Sequence, residues 1–578
     1  MFNLQKIRCI KLATIAVLTC CICLATTSTT PLIAKSPDWV VLSNNNANLL
    51  KKAINAKDCQ QKLAVSDRLR EINPAFKTCR HEKVLDTVKA IEQKLIQAKN
   101  PELRIDLSIL QKFGRRRLRL YELNEQYQVP YADLSLAILE EFKSTLEEIE
   151  SPDQQQQVIL TKLKQYAGVE AAQTALAKSL EQAIETQMRK SEVVLPRKEQ
   201  LESDLEDNAT HISEILAFLE EQQVPGYQQA YEQLKTQLYD YETFIRRKIL
   251  TKKREDFRLP AEMYAFRLEQ QGIEIPIEEL IKQAHIAFDR IQQQMDVMAQ
   301  KIAKQRGIEI SSYQDVVLLL EQEQLSAEET LKEYRQRAQD LEDIIRREDL
   351  VTLPNSKCEI RLATESEKKD IFFPSYDSIS NTVIIPVFQN PQKATAYNDF
   401  INTAKSWSTM AHEGRPGHDL QFTTIENSNL PLARTDFFRH KSNTEGWAVY
   451  AEIVMFPYLP LEGQFMALQQ RLINAAQAFS GLELQLGRIT TGDAIKLWTE
   501  DLGFSRLLIE EQLQKSPSET PGIALAYFYG SQRLLQLREQ AQQRLRDKFT
   551  MKKFHDFVLS QGFLPSELLQ QAINTKMT

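Results

Sequence analysis

The stretch LSLAILEEFKSTLEEI at residues 134–149 carries the pattern that decides the fold. Its apolar residues recur at intervals of three or four, at Leu134, Ile138, Phe142, Leu146 and Ile149. The residues between them are largely polar or acidic, so one face can be buried while the other meets solvent. Ser151 and Pro152 stop the run, because the residue before a proline is disfavoured in a helix. The spacing predicts an amphipathic helix.

Similar stripes continue through most of the chain. They occupy residues 154–190, 209–250, 260–305 and 325–347, and their unequal lengths argue against a regular solenoid. The 578 residues are 42% hydrophobic and 26% charged, which is typical of a globular protein, and only 16 are glycine. Such a composition favours helix over sheet. We therefore expect a mainly α, multi-helical protein.

The first 34 residues differ from the rest and predict a signal peptide. Three cations come first, at Lys6, Arg8 and Lys11. The apolar run that follows, residues 12–25, is shorter than the roughly 20 residues of a membrane-spanning helix. An export signal cleaved after Ala34 is the preferred interpretation, and a lipoprotein attached through Cys20 or an uncleaved anchor are the alternatives. We expect a periplasmic or extracellular protein, with membrane attachment left open.

Three cysteines remain outside the predicted signal, namely Cys59, Cys79 and Cys358. Export permits disulfides, so Cys59 and Cys79 either form one or stay as two buried thiols. The formal charge of −6 becomes −9 without the three signal cations, and we find no basic tract that would act as an electrostatic footprint for phosphates. A nucleic-acid partner is therefore not expected.

The character of the sequence changes near residue 348. Short β-branched runs, which predict a small antiparallel ribbon, occur at residues 350–353, 359–363 and 382–388. We divide the mature chain into a helical region, residues 35–347, that covers a cleft, and a second region, residues 348–578, that carries the chemistry described next. An exposed strand edge beside that chemistry is one way to hold an extended peptide.

Two of the seven histidines stand close together in the segment HEGRPGH, residues 412–418. In the H-E-x-x-H pattern, two histidines on one helix face bind zinc and the adjacent glutamate takes a proton from water. His412 and His418 are six residues apart, so on a regular helix they would point about 120° away from each other. Pro416 and Gly417 predict a break that could return His418 toward His412. By spacing alone, a metal site and a helix end with two exposed histidines are equally open.

A third ligand could come from the segment EGWAVYAE, residues 445–452. Glu445 and Glu452 are seven residues apart, which places both carboxylates on one helix face. One carboxylate can then bind an ion while the other accepts a hydrogen bond from a ligating imidazole. The alternative is that both face solvent, as most helical glutamates do. Trp447 and Tyr450 argue against it, because they make the helix unusually apolar.

Together these segments resemble the signature of the bacterial "domain of unknown function 885" family. The matching residues are the run from His412 to Gln421, the run from Glu445 to Glu452 and, toward the C-terminus, Ala526, Tyr527, Gly530, Leu537, Arg538, Phe554, His555, Asp556, Gly562, Leu564 and Pro565. That family is similar in appearance to zinc peptidases of the thimet-oligopeptidase and neurolysin type. The resemblance implies a mainly helical, zincin-like architecture. Carried over by position, it assigns the Zn²⁺ ligands to His412, His418 and Glu445.

The resemblance also implies which residues carry the reaction. Glu413 is the expected general base. Tyrosine and histidine side chains near the C-terminal end stabilise the oxyanion in peptidases of this type, and the matching residues are Tyr527 and His555. Tyr529 is an alternative to Tyr527.

The sequence departs from the family pattern at three positions near these residues. Gln485 stands where a histidine is usual, Ile523 stands where the pattern has glutamine, and Asp419 stands where a second histidine often follows the motif. The departures spare every expected ligand and the base. They bear on the contacts with substrate and on catalytic competence.

We therefore expect an exported, zinc-dependent metallopeptidase-like hydrolase that acts on short peptides, since a cleft walled by helices would exclude folded proteins. Two alternatives stay open. The first is a zinc-dependent hydrolase of non-peptide amides or esters, and the second is a non-catalytic helical binding protein that keeps the metal site. The sequence contains no G-x-S-x-G motif, which excludes the serine hydrolases that carry that motif.

Overall fold

The computed structural model describes residues 37–63, 69–149, 151–169, 174–252, 258–389, 401–504 and 522–578. The predicted signal peptide, residues 1–34, and its Cys20 lie outside the described residues. Within the described ranges, no helix combines the length and the apolar character that spanning a bilayer requires. The described part is mainly helical, as expected, and contains a small three-stranded sheet.

The helices before the sheet are α1 (Asp38–Asn55), α2 (Lys57–Leu63), α3 (Pro74–Gln97), α4 (Pro101–Tyr127), α5 (Leu134–Glu148), α6 (Pro152–Ala167), α7 (Leu176–Gln187), α8 (Lys198–Glu221), α9 (Gln228–Lys248), α10 (Ala261–Gln270), α11 (Ile277–Arg306), α12 (Tyr313–Gln322) and α13 (Ala327–Arg347). The strands are β1 (Glu359–Leu362), β2 (Ser375–Asp377) and β3 (Thr382–Ile385). The helices after the sheet are α14 (Thr403–Glu413), α15 (His418–Glu426), α16 (Leu432–Thr435), α17 (Lys441–Met455), α18 (Leu461–Gln485), α19 (Thr491–Lys496), α20 (Ile523–Leu545), α21 (Met551–Ser560) and α22 (Ser566–Lys576).

The stretch at 134–149 forms the expected helix, α5. Asp133 caps its N-terminus, because its side chain accepts a hydrogen bond from the backbone N–H of Leu136 at 3.1 Å. The helix ends at Glu148, and α6 begins at Pro152. The predicted stop is therefore confirmed.

Three of the predicted stripes are each divided between two helices. The stripe at 154–190 contains most of α6 and all of α7. The stripe at 209–250 contains the end of α8 and all of α9, with a turn between them in which Gly226 has φ +68°. The stripe at 260–305 contains α10 and most of α11, with a turn in which Gly272 has φ +80°. Glycine enters this left-handed region without steric cost and so ends a helix. Apolar periodicity alone does not show where these helices end, because the pattern continues across the turns between them.

The sheet is mixed, which corrects the expected antiparallel ribbon. β3 is the central strand: β2 pairs with it in the antiparallel sense and β1 in the parallel sense. A tight turn joins β2 to β3 and makes them antiparallel. The other edge of β3 pairs with β1, which runs in the same direction as β3. Residues 350–353 are not a strand. They form a loop after α13, in which Leu350 and Val351 are buried.

The cores of the protein cross the predicted division at residue 347. One core combines residues of α10, α11 and α12 with residues of α18 and α20, and α11 packs along α18. A second combines α13 and the sheet with α14, α17, α20 and α21. A third contains residues between Leu69 and Ile249 alone. The helices that carry the predicted site therefore share their cores with helices from the N-terminal half.

A disulfide joins Cys59 of α2 to Cys79 of α3, with the two Cα atoms 6.0 Å apart. It is the first of the two alternatives that the sequence left open for these cysteines. Cys358 is the free cysteine of the described part of the chain.

Candidate metal centre

The backbone between His412 and His418 breaks as predicted. α14 ends at Glu413 and α15 begins at His418, so the two histidines belong to different helices. The turn between them contains a cis peptide bond at residues 415–416. A Cβ atom on Gly417 would lie 1.9 Å from the carbonyl oxygen of His412, so the turn admits only glycine there. The break returns His418 toward His412, and their ring centroids lie 4.9 Å apart.

The two imidazoles meet at one carboxylate oxygen. Nε2 of His418 lies 3.1 Å from Oε2 of Glu445, and Nε2 of His412 lies 3.5 Å from the same oxygen. One potential ligand atom from each of the three residues lies within 4.8 Å of the others. The ligand atoms of a tetrahedral zinc ion, each about 2.1 Å from the metal, are separated by about 3.4 Å. The two nitrogen–oxygen separations are therefore those that zinc requires.

Glu452 supports His412 from the far side of the ring. The Nδ1–H of His412 donates to Oε1 of Glu452 at 2.7 Å, and Glu452 is only 1% exposed. In the neutral ring, donation through Nδ1 makes Nε2, which is directed toward Glu445, the nitrogen that can bind a metal. The predicted hydrogen bond is thus present. Because Glu445 is buried as well, the alternative of two solvent-facing glutamates is wrong.

His418 is oriented by packing. Its ring lies beside the rings of Tyr376 and Phe422, with centroid separations of 6.4 and 5.9 Å. Its Nδ1 is buried and has no hydrogen-bond partner within the described residues. The two histidines therefore differ: a carboxylate holds His412, whereas aromatic neighbours hold His418.

We call His412, His418, Glu413, Glu445 and Glu452 the metal cluster. Burial works against the charged form of His412, yet hydrogen bonds to Glu445 and Glu452 raise its pKa well above the ordinary value. Burial likewise opposes ionisation of Glu445, but the two histidines and Lys441 lower its pKa well below the usual range. A proton on an imidazole and a metal cation are alternative ways to neutralise these carboxylates.

Glu413 turns one oxygen toward the metal cluster. Its Oε2 accepts a hydrogen bond from the backbone N–H of Tyr376 in β2 at 2.8 Å, and its Oε1 lies 3.9 Å from Nε2 of His412. Burial raises the pKa of Glu413. The raised pKa suits a general base that works near neutral pH. Sequence reasoning missed Tyr376, because any residue has a backbone N–H and the sequence does not show which one will face Glu413.

Tyr527 lies at the metal cluster. Its ring stacks on the ring of His412 with a centroid separation of 6.0 Å, and its hydroxyl feels the charges of Glu445 and Glu413. Burial and the neighbouring carboxylates raise the pKa of Tyr527 well above its ordinary value, so the hydroxyl keeps its proton. Tyr529, the alternative, is directed to another side of α20, near Glu274.

A contact between two glycines brings α20 close to α17. A Cβ atom on Gly530 would lie 2.1 Å from the carbonyl oxygen of Ser442 and 2.7 Å from Cα of Gly446. The two helices therefore approach backbone to backbone, and side chains are excluded from the crossing. Glu445 lies next to Gly446, and Tyr527 lies about one helical turn before Gly530. The crossing therefore brings Glu445 and Tyr527 together.

His555 does not join the metal cluster. Its Nδ1–H donates to the carbonyl oxygen of Leu350 at 2.7 Å, and its Nε2 accepts from the hydroxyl of Tyr450 at 2.8 Å. Burial lowers the pKa of His555 to about 4, so the ring is neutral and has no further N–H to offer. These contacts favour a structural role, and the expectation that His555 stabilises an oxyanion finds no support in them.

Arg415 is a buried residue of the turn that sequence reasoning missed. Its Nε donates to Asp419 at 2.6 Å, and its two Nη atoms donate to Glu342 at 2.8 Å and to the carbonyl oxygen of Ser356 at 2.7 Å. The guanidinium thereby ties the turn of the metal cluster to α13. The spacing of four residues between Arg415 and Asp419 is the sequence signal that could have indicated the pair. The departure at Asp419 thus has a structural partner.

The departure at Gln485 also has a partner in the fold. Its side-chain amide donates to the carbonyl oxygen of Leu259 at 2.8 Å and accepts from the N–H of the same residue at 3.2 Å. Gln485 therefore ties the end of α18 to the segment before α10. Ile523 is the first residue of α20 and follows Gly522, whose φ is +88°.

The residues of the metal cluster fit a zinc ion on three counts. Two imidazole nitrogens and one carboxylate oxygen form a donor set that catalytic zinc sites use. The two nitrogen–oxygen separations, 3.1 and 3.5 Å, are close to those of tetrahedral zinc coordination. The surplus of buried carboxylates supplies the negative charge that a divalent cation requires.

Two solved structures share the fold along nearly the whole chain. A protein from Shewanella oneidensis, described as a "putative lipoprotein of unknown function", has a TM-score of 0.66 and 17% sequence identity, over 93% of this chain and 99% of its own. A "putative lipoprotein" from Colwellia psychrerythraea has a TM-score of 0.59 and 16% identity, over 93% of this chain and 98% of its own. At such identities the similarity shows the fold alone.

Comparison with curated proteins finds no match. The family described as "Bacterial protein of unknown function (DUF885)" matches residues 57–573, which include every described residue of the metal cluster. The expected family is thereby confirmed. The chain belongs to the DUF885 family of bacterial proteins.

Proposed function

We propose that this protein is an exported zinc-dependent hydrolase that cleaves short peptides. The observation that carries the proposal is the convergence of His412, His418 and Glu445, with the buried carboxylate of Glu413 beside them. Three protein ligands with an adjacent base are typical of catalytic zinc sites, whereas structural zinc sites usually have four protein ligands. The zincin-like relationship to thimet-oligopeptidase-type enzymes is part of this proposal.

Each residue of the metal cluster has a role in the proposed reaction. The ion would be held by His412, His418 and Glu445. When bound, zinc supplies a Lewis acid that polarises a substrate carbonyl and acidifies water. Glu413 takes the proton of the attacking water and delivers it to the leaving amine, a task that suits its raised pKa. Tyr527 donates a hydrogen bond to the developing oxyanion, and Glu452 keeps His412 in the tautomer that binds metal.

Short peptides are the proposed substrates because the metal cluster is buried among helices. The side chains of Glu413, Glu445 and Glu452 are almost covered by surrounding residues. Such burial excludes the backbone of a folded protein, so the proposal takes short unfolded peptides as the substrate class.

The proposal of export combines three observations. The N-terminal residues have the pattern of a signal peptide. The disulfide between Cys59 and Cys79 is of a kind that persists in oxidising compartments. The description of the two similar structures as lipoproteins supports the alternative to cleavage after Ala34, in which lipid on Cys20 attaches the protein to a membrane.

The deciding measurement is the metal content of the mature chain from residue 35, determined by elemental mass spectrometry. We expect about one zinc per chain, lost in His418→Ala and in Glu445→Ala and kept in the control His285→Ala. His285 is a matched control because it is half-exposed and contacts a glutamate, Glu483, outside the metal cluster. No zinc in the wild-type protein, even after incubation with the metal, would remove the basis of the proposal.

Activity on a library of short peptides, measured beside amide and ester libraries, tests the substrate class. Cleavage of peptides that is lost in Glu413→Gln supports the proposal. Cleavage of esters or non-peptide amides alone would contradict the peptide assignment and leave a zinc hydrolase of another class. Zinc binding without any turnover would indicate a binding protein.

A further inference from the structure

The two oxygens of Glu445 have different surroundings. Oε2 faces the Nε2 atoms of His418 and His412. Oε1 accepts a hydrogen bond from Nζ of Lys441 at 2.9 Å, one helical turn earlier in α17. The side chain of Glu445 is 8% exposed, whereas that of Lys441 is 44% exposed. An ammonium group at the edge of the metal cluster therefore holds the oxygen that does not face the imidazoles.

A carboxylate can bind a metal ion through one oxygen or through both. In the proposed mechanism the Tyr527 hydroxyl serves the substrate, and Lys441 is the side chain that donates to Oε1 of Glu445. We infer that Lys441 is a positioning residue: it keeps Glu445 a ligand through Oε2 alone and so leaves a coordination position for water and substrate. The inference rests on the proposed zinc-dependent function.

An ordinary lysine–glutamate pair on a helix surface would look different. Lys198 and Glu202 in α8 form such a pair, also four residues apart, with nitrogen and oxygen 3.3 Å apart and both side chains more than 40% exposed. Surface pairs of this kind add little to stability. The pair of Lys441 with Glu445 differs because its acid is buried and its other oxygen faces two candidate ligands.

The positive charge of Lys441 has a cost for metal binding. A cation beside a zinc site repels the ion. Replacing Lys441 with an uncharged side chain removes that repulsion and also frees Oε1 to become a ligand. Both consequences have the same sign, so the inference predicts tighter zinc binding and a higher coordination number in Lys441→Met.

The test compares the mature wild-type chain with Lys441→Met, Lys441→Arg and the matched control Lys198→Met. Zinc affinity is measured by competition with a chromophoric chelator, and coordination by the visible absorption of the cobalt(II) form. We expect Lys441→Met to bind zinc at least tenfold more tightly and to lose cobalt absorption intensity, as four-coordinate cobalt gains a ligand. Lys441→Arg, which keeps the cation, and Lys198→Met should match the wild type.

Each other outcome overturns a defined part of the argument. Wild-type affinity and an unchanged cobalt spectrum in Lys441→Met, or weaker zinc binding at unchanged helicity, would overturn the role of Lys441 and leave the proposed zinc site standing. A wild-type chain that binds no zinc would overturn the proposed function and this inference together. The two failures are therefore distinguishable in one experiment.

Discussion

Two clusters of buried charges show how the candidate site differs from an ordinary ion-pair network. The arginine cluster consists of Arg434, Asp106, Glu102 and Lys576, and it ties α4 to α16 and α22. Nε of Arg434 lies 2.6 Å from Oδ1 of Asp106, Nη2 of Arg434 lies 2.7 Å from Oε2 of Glu102, and Lys576 also contacts Glu102. Two acids face two cations, so the charges balance within the protein.

The metal cluster lacks this balance. It contains three carboxylates, on Glu413, Glu445 and Glu452, whereas the cations beside them are Lys441, which hydrogen-bonds Glu445, and Arg471, whose charge acts on Glu452. The difference teaches that burial of charge is not itself a sign of function. A balanced cluster stabilises a fold, whereas a cluster with surplus carboxylates needs protons on its histidines or a cation from solution.

The largest expected effect separates the chemistry of the metal cluster from its stability. Glu413→Gln should lower peptide turnover at least about a hundredfold, because general-base catalysis contributes about 10²–10⁴-fold. Zinc content and the unfolding temperature should stay at wild-type values. The measurement is kcat on a cleaved peptide beside zinc content, and full turnover in the variant would refute the role of Glu413.

The arginine cluster should respond in the opposite way. Arg434→Met leaves Asp106, which is 0% exposed, without its partner, and breaking a buried pair costs about 3–5 kcal/mol of unfolding free energy. Zinc content should not change. The surface pair of Arg246 with Glu242 provides the control, and Arg246→Met should cost no more than about 0.5 kcal/mol in the same guanidinium titration.

If Arg434→Met were as stable as Arg246→Met, or if it lost zinc, the division between a stabilising cluster and a binding cluster would not hold.

His555 sharpens the comparison because its buried ring hydrogen-bonds a carbonyl and a hydroxyl instead of carboxylates. Its pKa is lowered to about 4 in the folded protein, against about 6.5 when unfolded, so the unfolded chain binds more protons between these values. The stability that His555 contributes is therefore present above pH 6.5 and is lost as pH falls toward 4. Between pH 7 and pH 5, the wild type should lose about 2 kcal/mol more unfolding free energy than His555→Gln does.

The check is denaturant titration of both proteins at the two pH values. His440, whose pKa burial lowers to about 3, contributes equally to both proteins and cancels in the comparison. Equal losses in the wild type and in His555→Gln would show that the neutral ring of His555 is not required for folding.

The smallest effect concerns the support of His412. Glu452→Gln keeps a hydrogen-bond acceptor for Nδ1 of His412 but removes the charge, and loss of such an outer partner typically weakens metal affinity by about tenfold or more. Glu202→Gln on the surface of α8 is the control and should leave affinity unchanged. Chelator competition gives both dissociation constants, and identical values for the two variants would remove Glu452 from the support of the metal cluster.

Much of the fold could be predicted from local pattern. The stripe at 134–149 and its capping by Asp133 follow from periodicity and from hydrogen bonding within a few residues. The antiparallel ribbon was wrong because strand partners are chosen across the sheet, where β3 lies between β1 and β2. The buried run at 350–353 was misread because a burial pattern in a short loop resembles that of a strand.

The site divides in the same way. The sequence alone determined which residue types could form a zinc site, that Pro416 and Gly417 would break the helix between His412 and His418, and that Glu445 and Glu452 share a face, because these properties depend on covalent geometry and helix spacing. The sequence also allowed the disulfide between Cys59 and Cys79, as one of two alternatives.

Only the tertiary structure decided which of these residues meet. It brought Tyr527 to His412 through the contact of Gly446 with Gly530, and it directed His555 to Leu350 and Tyr450 instead. It also placed the backbone N–H of Tyr376, in β2, within hydrogen-bond distance of Glu413. The physical reason is that these contacts join segments far apart in the chain, and packing, which acts between whole helices, determines their distances and directions.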